Sequence, residues 1–167
     1  MAIVLIGGGA RSGKSRYALD LARTRGGRLT FLATAQPHDT EMEARIARHR
    51  AERGEAFATI EEPLEIASVL KKAEAGVIVV DCLTLWLSNV MLTFGRDIDA
   101  DIEAVVDAAR ASPALVIMIT NEVGCGIVPE STLGRDFRDR AGMLNQRVAA
   151  ASEEVYWMVF GYPLRVK

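Results

Sequence analysis

The stretch AIVLIGGGARSGKS (Ala2–Ser15) joins an apolar run to a glycine-rich turn and then a lysine. Ala2–Gly7 is short and β-branched, the pattern of a strand buried on both faces. Gly8–Ser15, GGARSGKS, fits G-x-x-x-x-G-K-[ST]. From Lys14 to about Thr24, Tyr17, Ala18, Leu21 and Ala22 recur at helical spacing. Strand, glycine loop and helix in that order make a phosphate-binding device. The glycines let backbone approach phosphate oxygens, and the helix N-terminus offers N–H groups with no intrahelical partner. Lys14 would neutralise β- and γ-phosphate charge, and the Ser15 hydroxyl would sit on Mg²⁺. Gly8, Gly9, Ala10, Arg11, Ser12, Gly13, Lys14 and Ser15 are therefore candidate nucleotide contacts, with Lys14 also a catalytic candidate. Without nucleotide, Lys14 is expected to be exposed.

The alternation continues along the chain. Arg28–Thr34, Ala56–Glu62, Gly76–Asp81, Ala114–Thr120 and Val155–Phe160 read as strands. A helix capped by Asp39 or Thr40 follows the second strand. Pro63 can start another, to about Glu74. Leu83–Phe94, Ile98–Ala111 and Leu133–Ser152 read as helices, and Arg96–Asp101 as the best candidate for an exposed loop. The GYP turn leads into a last short strand, Leu164–Lys167, which it can make antiparallel. Apolar strands alternating with helices imply an α/β protein. The expected architecture is a P-loop NTPase-like three-layer α/β/α sandwich with a mostly parallel central sheet, in one domain over residues 1–167.

Composition narrows the function. Half of the 167 residues are hydrophobic and a quarter charged, with a net charge of −2. That balance points to neither nucleic acid nor an anionic membrane, so any basic site is local. No run approaches the length of a membrane span. The N-terminal apolar run is too short for a signal peptide and lacks a basic leader. Cys82 and Cys125 fit no metal spacing and read as free thiols of a cytoplasmic protein.

Asp81 ends VIVVD, where a carboxylate at a strand's carboxyl end can hold a Mg²⁺ water near the phosphates; the plainer reading is a polar strand end or a helix cap. Ser15 and Asp81 are thus the metal candidates. Nucleoside triphosphate with magnesium follows, but no particular reaction. The chain has no NKxD run to read guanine and no long lid insertion.

EARIARHRAERG (Glu43–Gly54) sets His49 among Arg45, Arg48, Arg50 and Arg53. On a helix, Arg45, His49 and Arg53 share one face. Cationic neighbours favour the neutral, nucleophilic imidazole. Such a histidine could attack a phosphate whose charge the arginines stabilise. The plainer alternative is a solvated helix whose arginines pair with Glu43, Glu52 and Glu55.

These segments together resemble the bifunctional adenosylcobinamide kinase / adenosylcobinamide-phosphate guanylyltransferase family of cobalamin biosynthesis. The resemblance runs nearly end to end and is most specific in RIARH, DCLTLWLSN (Asp81–Asn89) and NEVGCGIVPE (Asn121–Glu130). It implies that His49 carries GMP as a phosphoramidate. It also implies nucleotide contacts at the phosphate loop, at Ala33, Thr34 and Ala35, at Arg50, Ala51, Glu52 and Arg53, and at Glu61 and Asp81. A carboxylate such as Glu61 suits guanine, whose N1–H and amino group both donate. The chain departs from the family pattern at Gly54, where a proline is common, and at Phe57, where a tryptophan is. Glycine there would loosen the end of the histidine helix.

The resemblance implies an enzyme with two activities, GTP and ATP as substrates with Mg²⁺, a corrinoid partner (adenosylcobinamide) and a homotrimer. The apolar segments Leu83–Phe94 and Val155–Phe160 offer surface for such assembly. Two alternatives stay open: one activity alone, or a regulatory P-loop NTPase that loses γ-phosphate to water. Asn121 and Glu122 should project at the sheet's carboxyl edge, either to position substrate or magnesium or to cap the next helix. Trp86 and Trp157 read as core or subunit contacts rather than stackers. His38 and Cys125 carry no assigned chemistry.

Overall fold

The computed structural model describes residues 2–36, 50 and 54–167. Seven strands form one sheet in the order β3-β2-β4-β5-β1-β6-β7. They are β1 (Ile3–Gly8), β2 (Leu29–Ala33), β3 (Phe57–Glu61), β4 (Val77–Asp81), β5 (Leu115–Ile119), β6 (Glu154–Val159) and β7 (Tyr162–Arg165). Every pairing is parallel except β6 with β7. The described helices are α1 (Lys14–Arg25), α2 (Ile66–Lys71), α3 (Leu83–Leu92), α4 (Ile98–Ala111) and α5 (Thr132–Ala151).

Strand periodicity sorts the core into two layers. Val4, Ile6, Phe31, Val79, Ile117 and Ile119 pack with Ala18, Leu19 and Ala22 of α1 on one face. Ile3, Leu5, Leu32, Ile78, Val80, Val116 and Met118 pack with α2 to α5 on the other. Each fully buried side chain of this size contributes roughly 1.5–3 kcal/mol. This is the expected three-layer sandwich. Trp86 is core, and its indole N–H donates to the Leu64 carbonyl at 2.8 Å.

Helix boundaries follow local chemistry. Asp97 caps α4 by accepting the Ala100 N–H at 3.1 Å, and Ser131 caps α5 by accepting that of Gly134 at 3.1 Å. Two expectations need correction. The helix expected from Pro63 to Glu74 spans only Ile66–Lys71, because the Glu62 carboxylate first gathers the Leu64 and Glu65 N–H groups, at 2.9 Å each, into a turn. Arg96–Asp101 is not an exposed loop. Asp101 lies within α4, and the half-buried Arg96 guanidinium is held by Asp101 and Glu65. Those two carboxylates raise the Arg96 pKa further.

The last turn is Phe160–Gly161, one residue earlier than GYP suggests. Val159 pairs with Tyr162 across it, and both turn residues have positive φ, 49° and 87°, as a two-residue type I′ hairpin requires. Val159, Tyr162, Leu164 and Val166 stay exposed on this hairpin.

An ionic clasp ties α1 to the start of β6. The Glu154 carboxylate accepts from the Tyr156 hydroxyl at 2.6 Å and from Arg25 at 2.8 Å. The hydroxyl, then the guanidinium, hold Glu154 below its ordinary range, and the carboxylate, then burial, push the Tyr156 phenol up to about 12. A depressed carboxylate stabilises the fold above the ordinary carboxylate range and stops doing so as pH falls through its folded value. A raised phenol stabilises fully below its ordinary value of 10 and loses that contribution towards about 12. Glu154→Gln is expected to cost about 1–2 kcal/mol at neutral pH, the half-exposed Arg25 adding little. Urea titrations at several pH values should show the difference from the parent closing in acid. A difference that does not change with pH would refute the ionic account.

Candidate functional site

The phosphate loop leaves β1 at Gly8 and enters α1 at Lys14. A Cβ on Gly8, at φ +152°, would lie 2.8 Å from the Ser12 hydroxyl oxygen, so the loop curls back on itself only with glycine there. Gly13 sits at φ +93° as the N-cap of α1 and has no side chain to cap the helix. The first-turn N–H groups, which have no intrahelical partner, are therefore left without a side-chain cap. That is the anion-binding geometry the motif requires.

Lys14 departs from expectation: it is only 7% exposed. Its ammonium donates to the Gly9 carbonyl at 2.5 Å and to the Ser12 hydroxyl at 3.4 Å. The curled loop thus supplies the acceptors that water was expected to provide. The cation is held inside the arch where phosphate oxygens would lie.

The candidate acids stand in one row at the carboxyl edge. Ala33 is in register with Glu61 on one side and Asp81 on the other. Two strand spacings place Glu61 about 10 Å from Asp81. Ser15 Oγ donates to Asp81 Oδ2 at 2.8 Å, across 66 residues of sequence. A hydroxyl and a carboxylate so close can serve one ion. Among the described residues no group of three or more His, Cys, Asp or Glu could hold a metal. Ser15 and Asp81 are the residues here that could hold a magnesium ion.

Glu61 and Arg50 form an ion pair with both side chains exposed. The structure thus brings two of the candidate nucleotide residues together at the end of β3. Ala35 is half-buried just beyond β2. Thr34 is fully buried: its hydroxyl donates to the Cys82 carbonyl at 2.8 Å and accepts the Cys82 N–H at 2.9 Å. Its own N–H donates to the Asp81 carbonyl at 3.1 Å. Thr34 clasps β2 to the segment carrying Asp81. His49, Ala51, Glu52 and Arg53 lie outside the described residues, as do His38 and the helix expected from Asp39 or Thr40.

A family model described as cobinamide kinase / cobinamide phosphate guanyltransferase matches residues 4–166. The chain belongs to that family. Bifunctional adenosylcobalamin biosynthesis protein CobP of Pseudomonas aeruginosa is 45% identical over 166 residues, covering 98% of this chain and 96% of that protein. Bifunctional adenosylcobalamin biosynthesis protein CobU of Escherichia coli is 38% identical over 182 residues, covering 99% of each. Among solved structures, that of the RadB recombinase aligns with a TM-score of 0.55 at 15% identity, over 93% of this chain and 73% of that one. That likeness concerns the fold alone. Both activities in the description of the cobinamide kinase / guanyltransferase family are nucleotide chemistry, and the loop and its acidic row suit both.

Asn121–Gly124, NEVG, has a definite structure. The Asn121 N–H donates to the Thr84 hydroxyl at 2.8 Å, and its side-chain amide faces Thr84 and Cys82 at 3.4 and 3.9 Å. The Glu122 carboxylate folds back onto the Gly124 N–H at 2.5 Å and so caps its own turn rather than α5, which begins at Thr132. Sequence reasoning did not single out Thr84, Thr120 or Asn145. They form a relay under this loop, with Thr120 donating to Asn145 Oδ1 at 2.6 Å and lying 3.4 Å from the Thr84 hydroxyl. Thr120 directly after an apolar strand and Thr84 in the otherwise apolar first turn of α3 were the available signals; nothing local marked Asn145.

Both cysteines are free thiols, Cys82 buried and Cys125 exposed. Burial, helped by the Asp81 charge, pushes the Cys82 thiol up to about 11, so it stays protonated and inert at neutral pH. Trp157 is half-buried beside the phosphate loop, a position that its strand pattern did not reveal. Gly54 has φ +66°, a conformation open to glycine, and Phe57 is buried with Arg23 5.6 Å above its ring. No helix among the described residues is long and apolar enough to cross a membrane.

Proposed function

We propose that this chain, as one domain over residues 1–167, phosphorylates adenosylcobinamide and then transfers GMP to the product. The observation that carries the reading is the Ser15–Asp81 contact at the mouth of the loop holding Lys14. It makes one triphosphate site that either reaction can use, and family membership names the acceptor.

In the kinase step, the aminopropanol hydroxyl of adenosylcobinamide attacks the γ-phosphorus of ATP or GTP, and the nucleoside diphosphate leaves. Lys14 and the first turn of α1 hold the phosphates and offset their charge. Magnesium on Ser15 and Asp81 supplies further neutralisation when bound. In the transferase step, His49 attacks the α-phosphorus of GTP. An N–P bond forms and pyrophosphate leaves. A phosphate oxygen of adenosylcobinamide phosphate then attacks the same phosphorus, releasing His49 and giving adenosylcobinamide-GDP.

Glu61 reads guanine by accepting from its N1–H and amino group. Guanine competes with Arg50 for that carboxylate, so its arrival frees the Arg50 guanidinium for a phosphate. Ala33, Thr34, Ala35, Ala51, Glu52 and Arg53 complete the nucleotide contacts, and Thr34 also ties the end of β2 to the segment carrying Asp81. The active species is a homotrimer, for which the exposed Tyr162, Leu164 and Val166 provide apolar surface; light scattering reads its mass.

Two labels test the reading. With adenosylcobinamide, label from γ-labelled GTP should appear in adenosylcobinamide phosphate, and α-label should appear in the final product. Release of γ-label only as free phosphate, whatever the acceptor, would instead favour a regulatory NTPase.

A further inference from the structure

Residues 9–12 of the phosphate loop and residues 157–160 of the β6–β7 hairpin line an open groove of about 320 Å³. We propose that it receives the base of the kinase-step nucleotide, with Trp157 and Phe160 as an aromatic wall that does not distinguish adenine from guanine. The inference rests on the triphosphate site proposed above.

Direction is the first argument. The Ser15–Asp81 contact marks the metal end of the site. Asp81 ends β4, which lies beyond β5 on one flank of β1, whereas β6 and β7 lie on the other. In the kinase step, a γ-phosphate directed at Asp81 leaves the nucleoside on the hairpin side; guanine at Glu61 in the transferase step needs the triphosphate to run the opposite way along the same loop.

Packing is the second. A Cβ on Gly13 would lie 3.4 Å from Gly161 Cα, so the hairpin turn presses directly on the loop. The Trp157 ring lies over β1, with Cε3 3.5 Å from where a Cβ on Gly7 would be. Phe160 stands at the turn, 93% exposed. A large apolar ring is thus left in water at the rim of the loop that takes the phosphates, on a turn pinned in place.

Chemistry is the third. Of the side chains lining the groove, Arg11, Ser12 and the Trp157 indole carry polar groups; no carboxylate or amide lines it. No carboxylate there can take the N1–H and the amino group of guanine together, as Glu61 can at the other end of the acidic row. A wall of this kind binds the π-face, which every base has. The donor base of the kinase step is therefore held without selection, and guanine is selected only at Glu61 in the transferase step.

The test uses the full chain with Mg²⁺ and compares ATP with inorganic tripolyphosphate, which has no base. Phe160→Ala should weaken ATP binding about tenfold, the scale of one lost base–aromatic stack, and leave tripolyphosphate binding unchanged. KM for ATP and for GTP in the kinase step should rise by the same factor with kcat retained, and Phe160→Tyr should restore both. Equal loss of ATP and tripolyphosphate would mean that the hairpin only shapes the loop, and would overturn the proposal. So would unchanged ATP affinity, or a changed oligomer mass without a change in ATP affinity, which would assign Phe160 to a contact between copies. If the parent protein bound neither tripolyphosphate nor ATP, the triphosphate site itself would fall, a result distinct from all of these.

Discussion

Lys14→Ala is expected to abolish both phosphorylation and guanylyl transfer, each by about 100- to 1,000-fold or more. On the proposed reading one loop serves both steps, and its buried ammonium would offset β- and γ-phosphate charge. The burial of Lys14 makes the folding control essential. Removing the side chain leaves the Gly9 carbonyl without the 2.5 Å donor seen here, a loss of about 1 kcal/mol. That is small beside the stability of a domain of this size, so the variant should remain folded by circular dichroism and melt slightly earlier. Normal guanylyl labelling in a folded Lys14→Ala protein would show that the two reactions use separate sites.

The residues most legible in the sequence are those whose chemistry is local. Gly8–Ser15 specifies a strand, an arch and a helix within a few residues, and the apolar run ending at Asp81 declares both a buried strand and an acid at its end. Parallel strands need no partner information to be recognised, because burial on both faces leaves continuous apolar runs. What remained hidden depends on pairing across distance. The burial of Lys14 depends on where the Gly9 carbonyl points. Thr34 looks like one more strand residue until the register of β2 with β4 places it against Cys82. Glu61 and Arg50 become a pair only once β3 has ended. Trp157 reads as a core or subunit contact because nothing near it in sequence says that β6 lies beside β1, with its hairpin against the phosphate loop.

The same distinction explains the misplaced boundaries. Pro63 is a good first helical residue in the abstract. Glu62, one residue earlier, takes the N–H groups of Leu64 and Glu65 and delays the helix. Arg96 looks like a loop residue by composition, but Asp101 and Glu65 pin it. In both cases a carboxylate a few residues or one helix away overrides local preference.

With GTP and Mg²⁺, the protein should gain one guanylyl group per active site and release pyrophosphate rather than phosphate. In the proposed transferase step the arginines near His49 in the sequence would offset phosphate charge during attack. A phosphoramidate is labile in acid and persists in alkali, so the bond itself can be identified after denaturation. His49→Ala is expected to abolish labelling and the transfer step completely, since the covalent route has lost its nucleophile. The kinase step should keep most of its rate, because γ-phosphoryl transfer to a bound hydroxyl needs positioning and charge neutralisation rather than a protein nucleophile. The split between the two activities distinguishes this variant from Lys14→Ala, which removes both. His49→Asn is the stricter form of the test, since the amide keeps polarity and some hydrogen bonding but cannot form the adduct. If the Asn variant still carried acid-labile GMP, the nucleophile would lie elsewhere, and the arginine-rich segment would act only as a clamp on the phosphates.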